Sequence, residues 1–165
     1  MSADAAHRSR WETFEAVLGI PFLVAIVLQF LRPLSLPGGI VRQLLLAGGA
    51  ALIIMGIAFV VLARRELGRQ GQPTDPGLPT IRLVTTGVFS VSRNPLYFGG
   101  VCVLAGIALA LDLPWVLLLL VPAIIACHYV LIAPEEGYLA AKFGEPYRRY
   151  AASVHRWIGR ARASE

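Results

Sequence analysis

A chain of 165 residues that is 56% hydrophobic and only 15% charged departs from soluble domains of its size, in which about a quarter of the residues carry charge. Its apolar residues fall in long runs, the mark of an integral membrane protein. The net charge of +5 comes without an aromatic-interleaved basic patch, which argues against nucleic acid, and Cys102 and Cys127 sit in apolar runs without CxxC spacing, as buried hydrophobes and not metal ligands.

In chain order, a polar start with His7, Arg8, Arg10 and the interfacial candidate Trp11 precedes an apolar run over about Phe14 to Leu31, broken by Glu15, Pro21 and Gln29. The run is too long, and lacks the small-residue site, for a cleavable signal. Arg32-Pro33 stops it. A Pro/Gly connector leads to a second run, about Ile40 to Ala63, in which Gly48, Gly49, Gly56, Ala47 and Ala51 would let helix backbones approach closely, or in which glycine is simply tolerated by lipid. Whether those residues also pair two copies of the chain is open at this stage. Arg64 to Asn94 is rich in Arg, Gly and Pro and cannot span a bilayer; its length predicts either an ordered polar segment or a loose loop.

The third run, Leu96 to Leu111, has 16 residues and turns at Asp112-Leu113-Pro114 into a fourth, Trp115 to Ala133. So tight a connection predicts an antiparallel helical hairpin, with a kink at Pro122. Beyond Pro134 the chain is amphipathic and basic. Leu139, Phe143, Tyr147 and Tyr150 recur at helical spacing, as in helices lying on the membrane face or over the hairpin. The expected fold is therefore all-α, a polytopic membrane protein with about four transmembrane helices. It divides into residues 1–63, with the first two helices, and a functional region 64–165. Four crossings place thirteen of the fifteen Lys and Arg on one side, leaving only Arg32 and Arg42 on the other. By the positive-inside rule both termini and the central segment are cytoplasmic.

Two polar clusters then meet at the mouth of the hairpin. One runs from Gly87 to Tyr97 and the other from His128 to Tyr150. His128 lies at membrane depth, where ionisable groups are by default functional candidates; it can equally be a structural residue capped by a carbonyl. The pair Glu135 and Glu136 can bind a cation, a ligand ammonium or Arg93, or one of them can be an ordinary acid at a helix start after Pro134. Arg93 can clamp a carboxylate or snorkel. Tyr97, Tyr147 and Tyr150 can wall an adenine pocket or belong to an interfacial belt.

The pattern GVFSVSRNPLYFGG, followed beyond the hairpin by H-x6-EE-x2-L-x3-FG-x2-Y-x2-Y-x3-V-x-RW, resembles the isoprenylcysteine carboxyl methyltransferases and their relatives, the phospholipid N-methyltransferases. The resemblance covers roughly residues 80 to 158. It implies a membrane enzyme, of the bacterial inner membrane here, that binds S-adenosylmethionine on its cytosolic side and takes a lipidic or hydrophobic acceptor laterally from the bilayer. Arg93, Asn94, Pro95, Leu96 and Tyr97 would line the cofactor pocket, Gly99 and Gly100 would permit close approach, Glu135 or Glu136 would hold the methionine ammonium, and Tyr147 and Tyr150 would help close the lid. Arg93 and His128 are the catalytic candidates, with His128 the first choice of base if the acceptor is an amine. Asn94 stands where eukaryotic prenylcysteine enzymes have histidine. Leu131 stands where they carry an arginine that recognises the acceptor carboxylate. Both differences leave the acceptor open. An NADPH-dependent reductase related to sterol reductases, with Arg64, Arg65 and Arg69 as its basic pocket, and a non-enzymatic scaffold are the competing readings.

Overall fold

The computed structural model describes residues 14–72 and 80–160, with side chains from residue 16. Trp11 and the other N-terminal candidates lie outside the described residues. Six α-helices follow in order: α1 (Phe14–Leu31), α2 (Gly39–Arg69), α3 (Pro95–Ala110), α4 (Pro114–Cys127), α5 (Ala133–Phe143) and α6 (Glu145–Ser153). A short 3-10 turn, Gly87–Ser90, precedes α3, and a π-helical turn, His128–Ile132, joins α4 to α5. The all-helical expectation holds among the described residues, apart from one bridge pairing Val154 with Arg160.

Among the described residues two continuous helices are long and apolar enough to cross a bilayer, Gly39–Arg69 and Pro114–Phe143, while α1 and α3 are apolar but shorter. Leu23, Phe30, Leu44, Ile54 and Val121 all stand more than half exposed on the outside of the helices. An apolar surface this extensive is one that lipid covers. With 31 residues, α2 is about 46 Å long, well beyond a hydrocarbon core of about 30 Å. It passes without a break through the change in composition at Ala63-Arg64, because Arg64, Arg65, Glu66 and Leu67 are all good helix formers. Gly71, at φ +66°, ends it.

The most extensive helix pairing is α2 against α3, which run antiparallel, and glycine makes it possible. A Cβ on Gly56 would stand 2.5 Å from the Gly99 carbonyl oxygen, and one on Gly49 would stand 2.7 Å from that of Gly106; the reciprocal approaches are as close. Both pairs are seven residues apart in both helices, so every second turn brings backbone onto backbone. Ala63, 0% exposed, continues the series in α2. Gly49 and Gly56 are thus spent inside the chain, and Gly48, with open space around it, is not. On the other side α1 packs on α4, through Leu18 with Leu120 and Ala123, and through Ala25 with Ala108 of α3 and Val116.

The hairpin turn is as tight as its sequence suggests. Asp112 takes φ 58°, which aspartate tolerates better than most residues, and its carboxylate accepts the Leu36 N–H at 2.7 Å. α4 continues through Pro122, which lacks the N–H for a bond to Leu118 O. The ladder widens further on, where the Ala133 N–H donates to His128 O in an i→i+5 bond. Pro134 is the physical cause. A proline ring inside a helix collides with the carbonyl four residues back, here Val130, and the wider turn makes room for it.

Candidate functional site

The segment ahead of α3 is held to α2 at one end and to the end of the chain at the other. The Thr86 hydroxyl donates to Glu66, and Gln72 Oε1 accepts the N–H groups of Ile81 and Arg82 at 2.7 and 3.0 Å. Further along, Arg93 N–H donates to His155 O at 3.1 Å, Gly159 N–H to Val91 O at 2.7 Å, and the Arg160 Nε–H to Ser90 O at 3.0 Å. The polar segment that composition left open between order and a loose loop is therefore ordered over its described part. Pro95 starts α3 at N1, where the missing N–H costs nothing, and Asn94, at the cap position, turns its side chain to other partners.

Those partners lie across the hairpin. Asn94 Nδ2 donates to Glu136 Oε1 at 3.4 Å and to Arg156 O at 3.2 Å. Arg156 makes a two-pronged contact with Glu136, Nε to Oε1 at 3.0 Å and Nη2 to Oε2 at 2.7 Å, and Arg93 Nη2 stands 3.5 Å from Oε1. Two guanidiniums and an amide thus converge on one partly buried carboxylate, and its hydrogen bonds raise the Arg156 guanidinium above the ordinary arginine range. Glu135, one residue earlier, points to a different neighbour: it accepts the Tyr97 hydroxyl at 2.9 Å. Below them Tyr97 and Trp157 pack with Val17 on the buried cluster of Cys127, Leu131 and Ile132.

The expected gathering of Arg93, Asn94, Tyr97, Glu135 and Glu136 at the hairpin mouth is thus observed. Tyr147 and Tyr150 are buried beside them, with ring centroids 6.3 Å apart. The Tyr150 hydroxyl donates to Phe89 O at 2.7 Å. Burial, reinforced by the charge of Glu136, pushes the Tyr147 phenol up to about 12, so it is protonated at neutral pH. Arg93 is the odd member. Its side chain is 13% exposed, it meets Glu136 and the Tyr147 hydroxyl, and its Nε is buried with no acceptor among the described residues. A buried donor left unpaired costs about 1–3 kcal/mol.

Other expected site residues are placed elsewhere. The close approach that Gly99 permits is to α2, and Gly100 lines an apolar groove with α1 and α2. The ring contact of His128 is with Tyr129, which is 70% exposed, and none of the network's hydrogen bonds includes it. The π turn shifts the helical phase between His128 and the glutamates, so their seven-residue spacing no longer stacks them. Pro95 is buried and Leu96 half-buried at the start of α3. Sequence reasoning passed over Arg156, Trp157 and Glu66 as site residues. Arg156 and Trp157 stood in the quoted V-x-RW pattern, and the cue was two carboxylates needing more cation than Arg93 supplies.

The phospholipid methyltransferase family matches this chain over residues 44–146, from α2 to the start of α6. A protein of Haemophilus influenzae described as uncharacterized is 59% identical over 27 residues, 16% of this chain and 43% of that relative. The chain thus spans less than half the length of that relative. No solved structure matches.

Proposed function

Because the chain belongs to the phospholipid methyltransferase family, we propose that it is an integral membrane methyltransferase that uses S-adenosylmethionine on a lipidic acceptor, with the amino-acid end of the cofactor held at the hairpin mouth. One observation carries the reading: among the described residues a buried guanidinium donor without an acceptor, Arg93 Nε, shares the site with a carboxylate, Glu135, whose hydrogen bond comes from a phenol. A zwitterion answers both, its carboxylate on Arg93 and its ammonium on Glu135. Glu136 is committed to Arg156, so its part is to position Arg93 and Asn94. Tyr97 orients Glu135, and Tyr147 and Tyr150 wall the site. The segment Asn94, Pro95 and Leu96 sets the path of the chain past it.

Bound there, the cofactor supplies a methyl group on a positively charged sulfur that is already a good leaving group. What the protein must add is alignment and exclusion of water, which well-fixed side chains provide. The acceptor's chains fit the apolar groove of about 490 Å³ between α1, α2 and α3, where Leu18, Phe22, Val60 and Val103 face Gly100, one helical turn from Tyr97. A carboxylate acceptor needs no base. The distribution of Lys and Arg supports a cytoplasmic site.

Calorimetric titration of the detergent-purified protein with S-adenosylmethionine, S-adenosylhomocysteine and NADPH in parallel tests this. Saturable binding of the two adenosyl compounds alone is expected. Binding of NADPH alone would replace the reading with a reductase.

A further inference from the structure

A second cavity, of about 760 Å³, opens between the segment leading to Ser90, α6 and the end of the described chain at Val154 to Arg160. Of the residues assigned to the cofactor it includes only Tyr150. Arg149 and Arg160 both line it, and among the described residues no carboxylate does. The Arg160 guanidinium is anchored through Nε–H to Ser90 O at 3.0 Å, which leaves its terminal nitrogens without a protein acceptor among the described residues. Among the described residues Arg149 has one ionic neighbour, Glu145 at 3.9 Å, and that exposed carboxylate is shared with Arg148, also at 3.9 Å. The cavity therefore carries a surplus of positive charge. Its serines add order and no donors: the Ser90 hydroxyl donates to Gly87 O at 2.7 Å and that of Ser153 to Tyr150 O at 2.9 Å.

Beside the cations the cavity is lined by apolar side chains, the half-buried Leu83 and the exposed Pro146. Along the chain, Val91 follows the lining residue Ser90 and Ile158 precedes Arg160 by two; they are 37% and 52% exposed, and the Gly159 N–H to Val91 O bond at 2.7 Å holds the two stretches of chain together. A soluble anion would satisfy the guanidiniums and leave these side chains in water. An anionic lipid satisfies both, its phosphodiester between two forked donors and its glycerol and acyl region against the apolar rim. We propose that this cavity binds the headgroup of an anionic phospholipid, with Arg149 and Arg160 on the phosphodiester, as a lipid site separate from the acceptor groove. This assignment does not depend on methyl transfer.

The test uses the full chain in a zwitterionic detergent, titrated separately with short-chain phosphatidylglycerol, short-chain phosphatidylcholine and inorganic phosphate. Phosphatidylglycerol should bind saturably, and Arg149→Gln and Arg160→Gln should each weaken it about fivefold, the scale of one cation near an anionic lipid surface. Arg148→Gln, which removes the same charge from the same helix outside the cavity, should leave binding unchanged. Equal binding of phosphatidylcholine, equal binding of inorganic phosphate, or equal loss in Arg148→Gln would each overturn the proposal. If Arg160→Gln lowers the melting temperature through its lost bond to Ser90, Arg149→Gln, which has no hydrogen bond to lose, decides alone.

Discussion

The two ends of the α2–α3 pair carry similar residue types and use them differently. At the hairpin turn, Arg42 donates to Leu109 O and Ala110 O at 2.8 and 2.7 Å, Asp112 accepts the Leu36 N–H, and the Trp115 indole donates to Arg32 O at 2.7 Å. Each of these side chains ends on backbone. An orphan exists there too, the buried Gln29 Oε1, but it is a neutral amide oxygen whose own nitrogen already serves Leu34 O. At the other end the charged groups face one another: Arg93, Arg156 and Glu136 form one cluster, and Glu135 stands beside it with a phenol. Charges that satisfy carbonyls close a structure, whereas the other end keeps a guanidinium donor buried and unpaired among the described residues, the feature on which the proposed cofactor site rests.

Breaking the framework common to both ends should have the largest effect. Gly56→Val puts a branched side chain where a single Cβ already lies 2.5 Å from a carbonyl oxygen, so α2 and α3 must separate. A cost of about 1–3 kcal/mol or more is expected, read as a fall in melting temperature of the purified protein. Gly48→Val, facing open space, should leave the melting temperature unchanged.

The next prediction separates the two glutamates. Glu135→Gln should weaken S-adenosylmethionine by about 1.5–3 kcal/mol, the worth of a charge-assisted hydrogen bond, with little change in melting temperature. Equal and negligible losses in the Glu135→Gln and Glu136→Gln titrations would sink the ammonium assignment. Glu136→Gln should instead free Arg156 and with it the His155–Gly159 segment, read as faster proteolysis near Arg156. The cost in stability should stay within about 1–3 kcal/mol, because Arg156 is 36% exposed.

Smaller effects should mark the structural end. Arg42→Ala removes two hydrogen bonds to the last carbonyls of α3 and should cost about 1–2 kcal/mol of stability with cofactor affinity unchanged. A matching loss of affinity would mean that the two ends are coupled and the contrast between them is false. Smallest of all, Tyr150→Phe should cost about 0.5–1.5 kcal/mol for the bond to Phe89 O.

Much of this was legible in the residues. Long apolar runs must become helices in a bilayer, because nothing else satisfies their backbone there, and the Asp112-Leu113-Pro114 turn forces Leu96 to Ala133 into a hairpin whose ends meet. From that alone, Arg93, Tyr97, Glu135 and Glu136 had to come within reach of one another. Small residues in the second run allowed a close helix contact without requiring one; that the contact forms, and with α3 of the same chain, was not predictable, since glycine spacing names no partner.

Which glutamate is engaged, and by what, depended on the tertiary structure. Glu135 and Glu136 are chemically identical neighbours, and only the docking of His155–Gly159 across the segment before α3 delivers Arg156 to one of them and not the other. The position of His128 escaped in the same way: its spacing assumes an unbroken α-helix, and the widened turn ahead of Pro134 changes the phase. Local periodicity determines what each run becomes and which ends meet, because it follows from backbone geometry. The pairing of charges across those ends follows from how separate pieces of chain pack, and that is written nowhere in the order of residues around each charge.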